Sequence, residues 1–233
     1  MKGILLKIEG NWAHFKKPET NNNPLTHDFI TKTALLGMIG AVLGTGRVEM
    51  AERFPELSED LLYGAQVLNH VRKVSWGFTG RRAVDVSYVR PKRMEFIKSP
   101  RYKVAIALKG ARSASIFDDF TIAAERSEAK HTPVLGLHNC PVTNLQILAL
   151  GSFEKKSGKF QTESFIATGE IGKQRLDVIG TRHFRVGVDR VATLQSDFHN
   201  QKYEPVAYPS AGNIISAEGE YYEFTDGSKW ALI

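Results

Sequence analysis

The stretch from Asn11 to Arg47, NWAHFKKPETNNNPLTHDFITKTALLGMIGAVLGTGR, limits the possible folds more than any other part of the chain. Leu35, Met38, Ile39, Val42 and Leu43 fall at i, i+3, i+4, i+7 and i+8, the one-sided spacing of an α-helix rather than the alternation of a strand. Thr31 or Thr33 can accept the first free N–H groups as N-cap, and Gly44 and Gly46 can supply a left-handed stop. Upstream, Thr20 to Pro24 (TNNNP) cannot sustain a regular element and reads as a loop. Before it lies an opening strand, Gly3 to Glu9, in which Ile4, Leu6 and Ile8 alternate and which Trp12 and Phe15 prolong.

Gly37, Gly40 and Gly44, with Ala41, form a second stripe on the helix. An interior glycine costs roughly 1 kcal/mol relative to alanine, so the stripe predicts a close neighbour. That neighbour is either a strand packed underneath or a nucleic-acid strand laid over the amino end of the helix. Free N–H groups and the positive dipole end favour phosphate there, and Lys16, Lys17 and Lys32 bring cations to the same region. A glycine-rich core helix is the plainer alternative. A P-loop is excluded, because GMIGAVLGTGR lacks the Gly-Lys-Ser/Thr ending and sits inside the helix.

Further along, Glu49 to Tyr63 carries a short helical pattern with Ser58 as a cap. Val67 to Phe78 and Val84 to Arg90 read as strands flanking a hairpin tip at Thr79-Gly80-Arg81-Arg82. Trp76, Phe78 and Tyr88 interleave with the arginines, a pattern that neutralises phosphates and stacks bases at roughly 1–3 kcal/mol per base. The alternative is that these rings alternate into a core. Tyr102 to Leu108 reads as a buried strand and Ser115 to Ala129 as a helix with Phe117, Phe120, Ile122 and Ala123 inward. Strand, helix, strand, strand, helix, strand is the order of a ferredoxin-like or RNA-recognition-type (RRM-like) fold, whose open sheet often reads single-stranded RNA.

After Asn144 the texture changes to paired strands. Leu145 to Phe153 and Phe160 to Thr168 flank Lys156-Ser157-Gly158, Arg182 to Thr193 follows, and Tyr221 to Thr225 and Lys229 to Ile233 flank Asp226-Gly227. The expected class is α+β: a ferredoxin-like domain over 1–143 with a basic hairpin at about 76–93, then a smaller β-rich part over 144–233. At 42% hydrophobic residues the chain has enough apolar material for a real core.

Charge is unevenly placed. Between Arg72 and Arg112 twelve Lys and Arg residues face only Asp85 and Glu95, so this window is about +10 and the remainder about −4. The asymmetry argues for a localised basic surface and an anionic partner. Cys140 stands alone, which excludes an internal disulfide and a thiolate zinc cluster. The histidines have no metal spacing, Asp118-Asp119 reads as a helix-start pair, and neither metal nor cofactor is expected. Met1 to Ile8 is too short an apolar run for a signal peptide and no window approaches the ~20 apolar residues of a membrane span, so no membrane partner and a cytoplasmic location are expected.

Several segments resemble the fifth CRISPR-associated protein family, of the repeat-associated (RAMP) superfamily of guide-RNA binders. In that family a first strand leads into a Phe-Arg-x-Pro-like turn, a loop, and a Thr/Ser-capped helix with a Gly-Leu/Met-aliphatic run ending in Leu-Gly. The matching residues are Phe15, Lys16, Lys17 and Pro18, then Thr31 to Thr33, then Leu36, Gly37, Met38 and Ile39, and finally Leu43 and Gly44. Lysine stands where arginine is usual, which removes a bidentate fork. Arg93 to Val104 (RMEFIKSPRYKV) and Pro133 to Pro141 (PVLGLHNCP) resemble two further family segments.

The resemblance, closest to subtype I-B, implies a non-catalytic subunit of a type I CRISPR surveillance complex, Cascade. Such a subunit caps the 5′ handle of the guide RNA (crRNA) and touches the backbone and large subunits, the latter beside target DNA near the protospacer-adjacent motif (PAM). It implies RNA contacts at Trp12, His14, Lys16, Lys17, Thr31, Lys32, Thr33, Gly37, Met38 and Trp76. The role of a thumb-like hairpin falls on Arg81, Arg82, Arg90, Lys92 and Arg93. Family members of one subtype cut precursor RNA without metal, and here Lys130-His131 with Tyr63 or Tyr102 is the corresponding candidate set. A metal-independent endoribonuclease and a protein-only scaffold are therefore the two rival readings.

Overall fold

The computed structural model describes residues 1–20, 22–81, 89–178, 186–193 and 202–233. In chain order the elements are β1 (Lys2–Gly10), β2 (Trp12–Ala13), α1 (Lys32–Leu43), α2 (Arg47–Asp60), β3 (Leu61–Val67), β4 (Lys73–Arg81), β5 (Val89–Lys98) and β6 (Arg101–Leu108). There follow α3 (Ala114–Glu125), β7 (Val142–Thr162), β8 (Ile166–Ala167), β9 (Arg175–Leu176), β10 (Val186–Thr193), β11 (Lys202–Pro209), β12 (Ile215–Phe224) and β13 (Lys229–Trp230). The result is an α+β fold dominated by strands.

The central sheet runs β13-β12-β7-β1-β6-β3, with β9 beside β12. Its neighbours are antiparallel: Ile4 faces Ile106 and Leu150, and Tyr63 faces Ile106 across β3–β6. Strand alternation explains the continuous apolar run of β1. Ile4, Leu6 and Ile8 join the helix-side core with Leu35, Met38, Val42, Phe117 and Phe120. Leu5 points the other way, to Ala105, Ala107, Phe153, Phe224 and Trp230. Each fully buried aliphatic side chain of this kind contributes roughly 1.5–3 kcal/mol.

Helix α1 forms where its spacing predicts. Thr31 is the N-cap, its hydroxyl accepting from Ala34 N, and Gly44 closes the helix at φ +74. The backbone N–H groups of Lys130 and His131 donate to the carbonyls of Val42 and Ala41, satisfying the last turn. Within the chain the close neighbour of the glycine stripe is α2 at Gly40 and Lys130 at Gly44, rather than a strand. A Cβ on Gly40 would lie 2.8 Å from Met50 Sδ, while one on Gly37 would meet nothing within 4 Å.

Four other expectations need correction. Ser58 lies inside α2 rather than capping it, and residues 61–63 belong to β3. Ile122 is exposed on α3. Thr79 and Gly80 do not form a hairpin tip, because β4 continues through Arg81, which pairs with Val89; residues 82–88 lie outside the described residues. Lys156-Ser157-Gly158 does not turn either. β7 runs unbroken for 21 residues, its first half on β1 and its second half on β12. There Gly158 (φ +133) directly faces Gly219 (φ +147), a pair of backbone conformations that L side chains rarely adopt. The strand continues because β12, some 60 residues later in the chain, supplies a full ladder. The Asp226-Gly227 turn between β12 and β13 forms as expected, with Gly227 N donating to Phe224 O at 2.8 Å.

Candidate nucleic-acid interface

β4 and β5, which lie between β3 and β6 in the chain, join β2 in a three-stranded sheet, β2-β5-β4, separate from the central sheet. Its register sorts the side chains. Val74 faces Phe96, Trp76 faces Met94, Phe78 faces Lys92, Gly80 faces Arg90, and Trp12 faces Lys98. Directly opposed residues share a face and neighbours along a strand alternate. One face therefore carries Trp12, Trp76, Phe78, Phe96, Arg90, Lys92 and Lys98. The other carries Lys73, Ser75, Thr79, Arg93 and Glu95.

On the first face Trp12 and Trp76 meet edge to face at 4.3 Å and Trp76 packs on Phe96 at 5.0 Å. Phe96 is buried, but Trp76 remains 40% exposed and Phe78 43% exposed. Arg90, Lys92 and Lys98 are exposed beside them. An exposed ring cluster edged by cations suits unstacked bases and their phosphates.

The opposite face is tied to the rest of the chain by charge. Lys73 Nζ lies 2.6 Å from Asp28 Oδ1 and 3.5 Å from Glu95 Oε2, and donates to Thr26 O at 2.9 Å. Burial alone would lower the Lys73 pKa, but the hydrogen bond and charge of Asp28, with Glu95 and Asp189, raise it. His27 Nδ1 donates to Asp189 Oδ1 at 2.8 Å, Lys17 Nζ sits 3.2 Å from the same oxygen, and Asp28 N donates to Asp189 Oδ2 at 2.8 Å. Tyr208 donates its hydroxyl to Asp28, and Tyr102 OH donates to the Asp28 carbonyl at 3.1 Å. The early loop, the base of the hairpin and β10–β11 thus meet in one half-buried ionic network.

The residues singled out in the sequence divide by location. Trp12, Trp76, Arg90 and Lys92 share the exposed face, and Arg93 lies on the other side of the same hairpin. Arg82 lies outside the described residues, and of Arg81 only the backbone is described. Lys16 is exposed, Lys17 is committed to Asp189, and Gly37 faces open space. Two expected contacts are turned inward. Met38 is in the core, and Lys32 is 5% exposed, its Nζ donating to Ser58 O at 2.6 Å and Ile233 O at 3.3 Å. Burial pulls the Lys32 pKa down to about 7, with Lys109 adding repulsion. A lysine on the inner face of a helix cannot also reach a phosphate outside it.

His14, Thr31 and Thr33 line a cleft of about 290 Å3 at the amino end of α1, together with Lys16, Gly136 and Tyr203. His14 Nδ1 donates to Glu95 O at 2.7 Å. His27, Asp28, Lys73, Glu95 and Asp189 were not identified in the sequence as a network. No local pattern marks them, since His27 and Asp189 lie 162 positions apart. Among the described residues no group of three His, Cys, Asp or Glu side chains is placed to hold a metal, and no helix is long and apolar enough to cross a membrane.

Comparison with known proteins points one way. The family model described as CRISPR-associated protein (Cas_Cas5) matches residues 3–159. A CRISPR protein from Archaeoglobus fulgidus is similar in structure at a TM-score of 0.63 and 18% identity, over 100% of this chain and 98% of that one. A chain of a CRISPR RNA-guided surveillance complex reaches a TM-score of 0.50 at 13% identity, over 97% and 92% of the two chains. At these identities the likeness is one of fold. No curated protein matches the sequence.

Proposed function

Since this chain belongs to the CRISPR-associated protein (Cas_Cas5) family, we propose that it is a non-catalytic subunit of a type I surveillance complex that caps the 5′ handle of the guide RNA. In the assembled complex it touches the backbone and large subunits beside target DNA near the PAM. The strand order β7-β1-β6-β3, all antiparallel, with α1 and α3 on one face, supports reading the amino-terminal part as a ferredoxin-like unit. The β4–β5 hairpin, inserted between β3 and β6, is its thumb. Pairing of guide and target reads sequence, while a subunit of this kind reads backbone and shape.

The observation that carries the proposal is the exposed hairpin face with two accessible rings and three cations on one side. Changing Arg90 and Lys92 together to Ala is expected to weaken binding of repeat-derived handle RNA and to flatten its salt dependence. Two lost phosphate contacts lower the slope of log K against log salt by about 1.4, at roughly 0.7 per contact on a single strand. Fluorescence anisotropy at several salt concentrations measures this. Unchanged affinity and slope would favour a scaffold whose basic face only docks an acidic neighbour.

The endoribonuclease reading has little geometric support. Tyr63 and Tyr102 are buried in the core, where burial raises both phenol pKa values well above the usual range, whereas Lys130 and His131 are exposed. General acid–base cleavage needs such groups at the RNA backbone itself. Purified protein mixed with labelled repeat RNA in EDTA is expected to leave it intact; discrete cleavage products would overturn the non-catalytic reading.

A further inference from the structure

Like charges placed directly opposite each other on neighbouring antiparallel strands destabilise the pair, and a nearby anion relieves the cost. β1 and β6 contain such a pair, in which Lys7 faces Lys103. Alternation puts both on the face of the central sheet that bears Leu5, away from α1 and α3. Gln146 of β7 and Gln66 of β3 stand in register with them, so a row of Gln146, Lys7, Lys103 and Gln66 crosses four strands. Lys7 has its counter-ion in Glu9 at 3.1 Å. Lys103 has no carboxylate partner among the described residues, and its Nζ lies instead 5.5 Å from the centre of the Trp230 ring.

The row runs into a groove of about 480 Å3 whose walls include Gln66, Lys103, Gln161, Ser228 and Lys229. Lys229 repeats the situation of Lys103. Its Nζ lies 5.5 Å from the centre of the Tyr221 ring, and it too has no carboxylate partner among the described residues. Both lysines are half-buried, and taking a cation partly out of water without an anion costs free energy that a bound anion relieves. Ser228 adds a donor, since its oxygen accepts from Trp230 Nε1 at 2.8 Å and its own O–H is left to give. The carboxylate in the wall, Glu163, already accepts from Gln66 Nε2. Donors therefore outnumber acceptors, and the groove asks for an anion.

The rings decide which anion. An open sheet that reads RNA presents aromatic side chains on which bases stack. Here the rings beneath the lysines are closed off, Trp230 at 2% and Tyr221 at 8% exposure, and the row itself holds none. The accessible rings are on the hairpin, whose Phe96 belongs to the core on the α1 side of the central sheet. Gln146 and Gln161, both exposed, offer amides that match the N–H and C=O groups of a peptide backbone. Resting on the reading of this chain as one subunit of a larger complex, we propose that this face docks an extended acidic segment of a neighbouring protein subunit, with its carboxylates on Lys103 and Lys229. Four strands spaced about 4.8 Å apart make the row about 14 Å long, the reach of about four extended residues.

The test is a lysine acetylation footprint of the full chain, read by mass spectrometry for the protein alone, with a hexaglutamate peptide, and with handle RNA. The peptide is expected to shield Lys103 and Lys229 and to leave Lys92 and Lys98 on the hairpin as reactive as before; handle RNA should do the reverse. Changing Lys103 and Lys229 together to Ala should weaken peptide binding, followed by anisotropy, by at least about tenfold, the worth of one hydrogen bond between charged groups. A peptide that shields the hairpin lysines instead, or none, would overturn the docking assignment, as would unchanged peptide affinity in the double variant. Shielding of Lys103 and Lys229 by RNA would give the face to nucleic acid and overturn it as well. RNA that shields no lysine would sink the RNA-binding reading, while the peptide arm still decides the groove. Should the double variant fold poorly, the footprint of the unaltered chain decides alone.

Discussion

Replacing Asp189 by alanine is expected to destabilise the fold by roughly 3–5 kcal/mol, the usual cost of removing one partner from a buried ion pair. The substitution strands His27, Lys17 and the N–H groups of Asp28 and Arg190, all of which donate to this carboxylate or pair with it. Denaturant unfolding of both proteins measures the difference, and a loss under about 1 kcal/mol would show that the network is not a stability centre. Acid gives an independent check. Burial alone would raise the Asp189 pKa, but the hydrogen bond and charge of His27 with the two backbone donors outweigh it and hold the pKa at about 2, against 3.8 for a free side chain. A depressed carboxylate contributes stability that is complete above the unfolded value and is lost as pH falls toward the folded one. Asp189 is therefore expected to supply about 2 kcal/mol at neutral pH, disappearing between roughly pH 4 and pH 2. In Asp189→Asn that part of the acid dependence should be missing.

Truncating Trp76 and Phe78 together to alanine is expected to weaken handle-RNA binding by roughly 2–6 kcal/mol, at about 1–3 kcal/mol per stacked base. Even the lower figure is about 30-fold. The salt slope should not change, because rings release no counterions, and this separates the pair from Arg90 and Lys92. Phe78 is the cleaner half of the experiment. At 43% exposure its loss should leave stability within about 0.5 kcal/mol, whereas Trp76 also packs on Trp12 at 4.3 Å. Unaltered RNA affinity in a folded double variant would mean that the exposed rings of the hairpin serve a protein contact.

Some of this site was legible before any coordinates. Trp76, Phe78, Arg90 and Lys92 were visible as an aromatic and basic hairpin because alternation along a strand is a local property. The register of that hairpin was not, since glycine beside two arginines looks like a turn, and only the pairing of Gly80 with Arg90 and of Arg81 with Val89 shows that the strand continues there. Lys32 was misread for a related reason. Its place in the first turn of a helix suggests a phosphate contact, but which side of α1 faces the core depends on the sheet beneath it.

From its own order of residues the chain determined α1 with both of its caps, the strands β1 and β6, and the concentration of positive charge between residues 72 and 112. Each of these follows from spacing or composition within a few turns of backbone. Only the tertiary structure decided that β7 continues through Gly158, that Met50 packs against Gly40, and that His27 finds Asp189 from 162 positions away. Those outcomes depend on partners brought together by folding. Near-neighbour patterns cannot specify them, because the energy of a long-range ladder or a buried ion pair exists only once both halves have met.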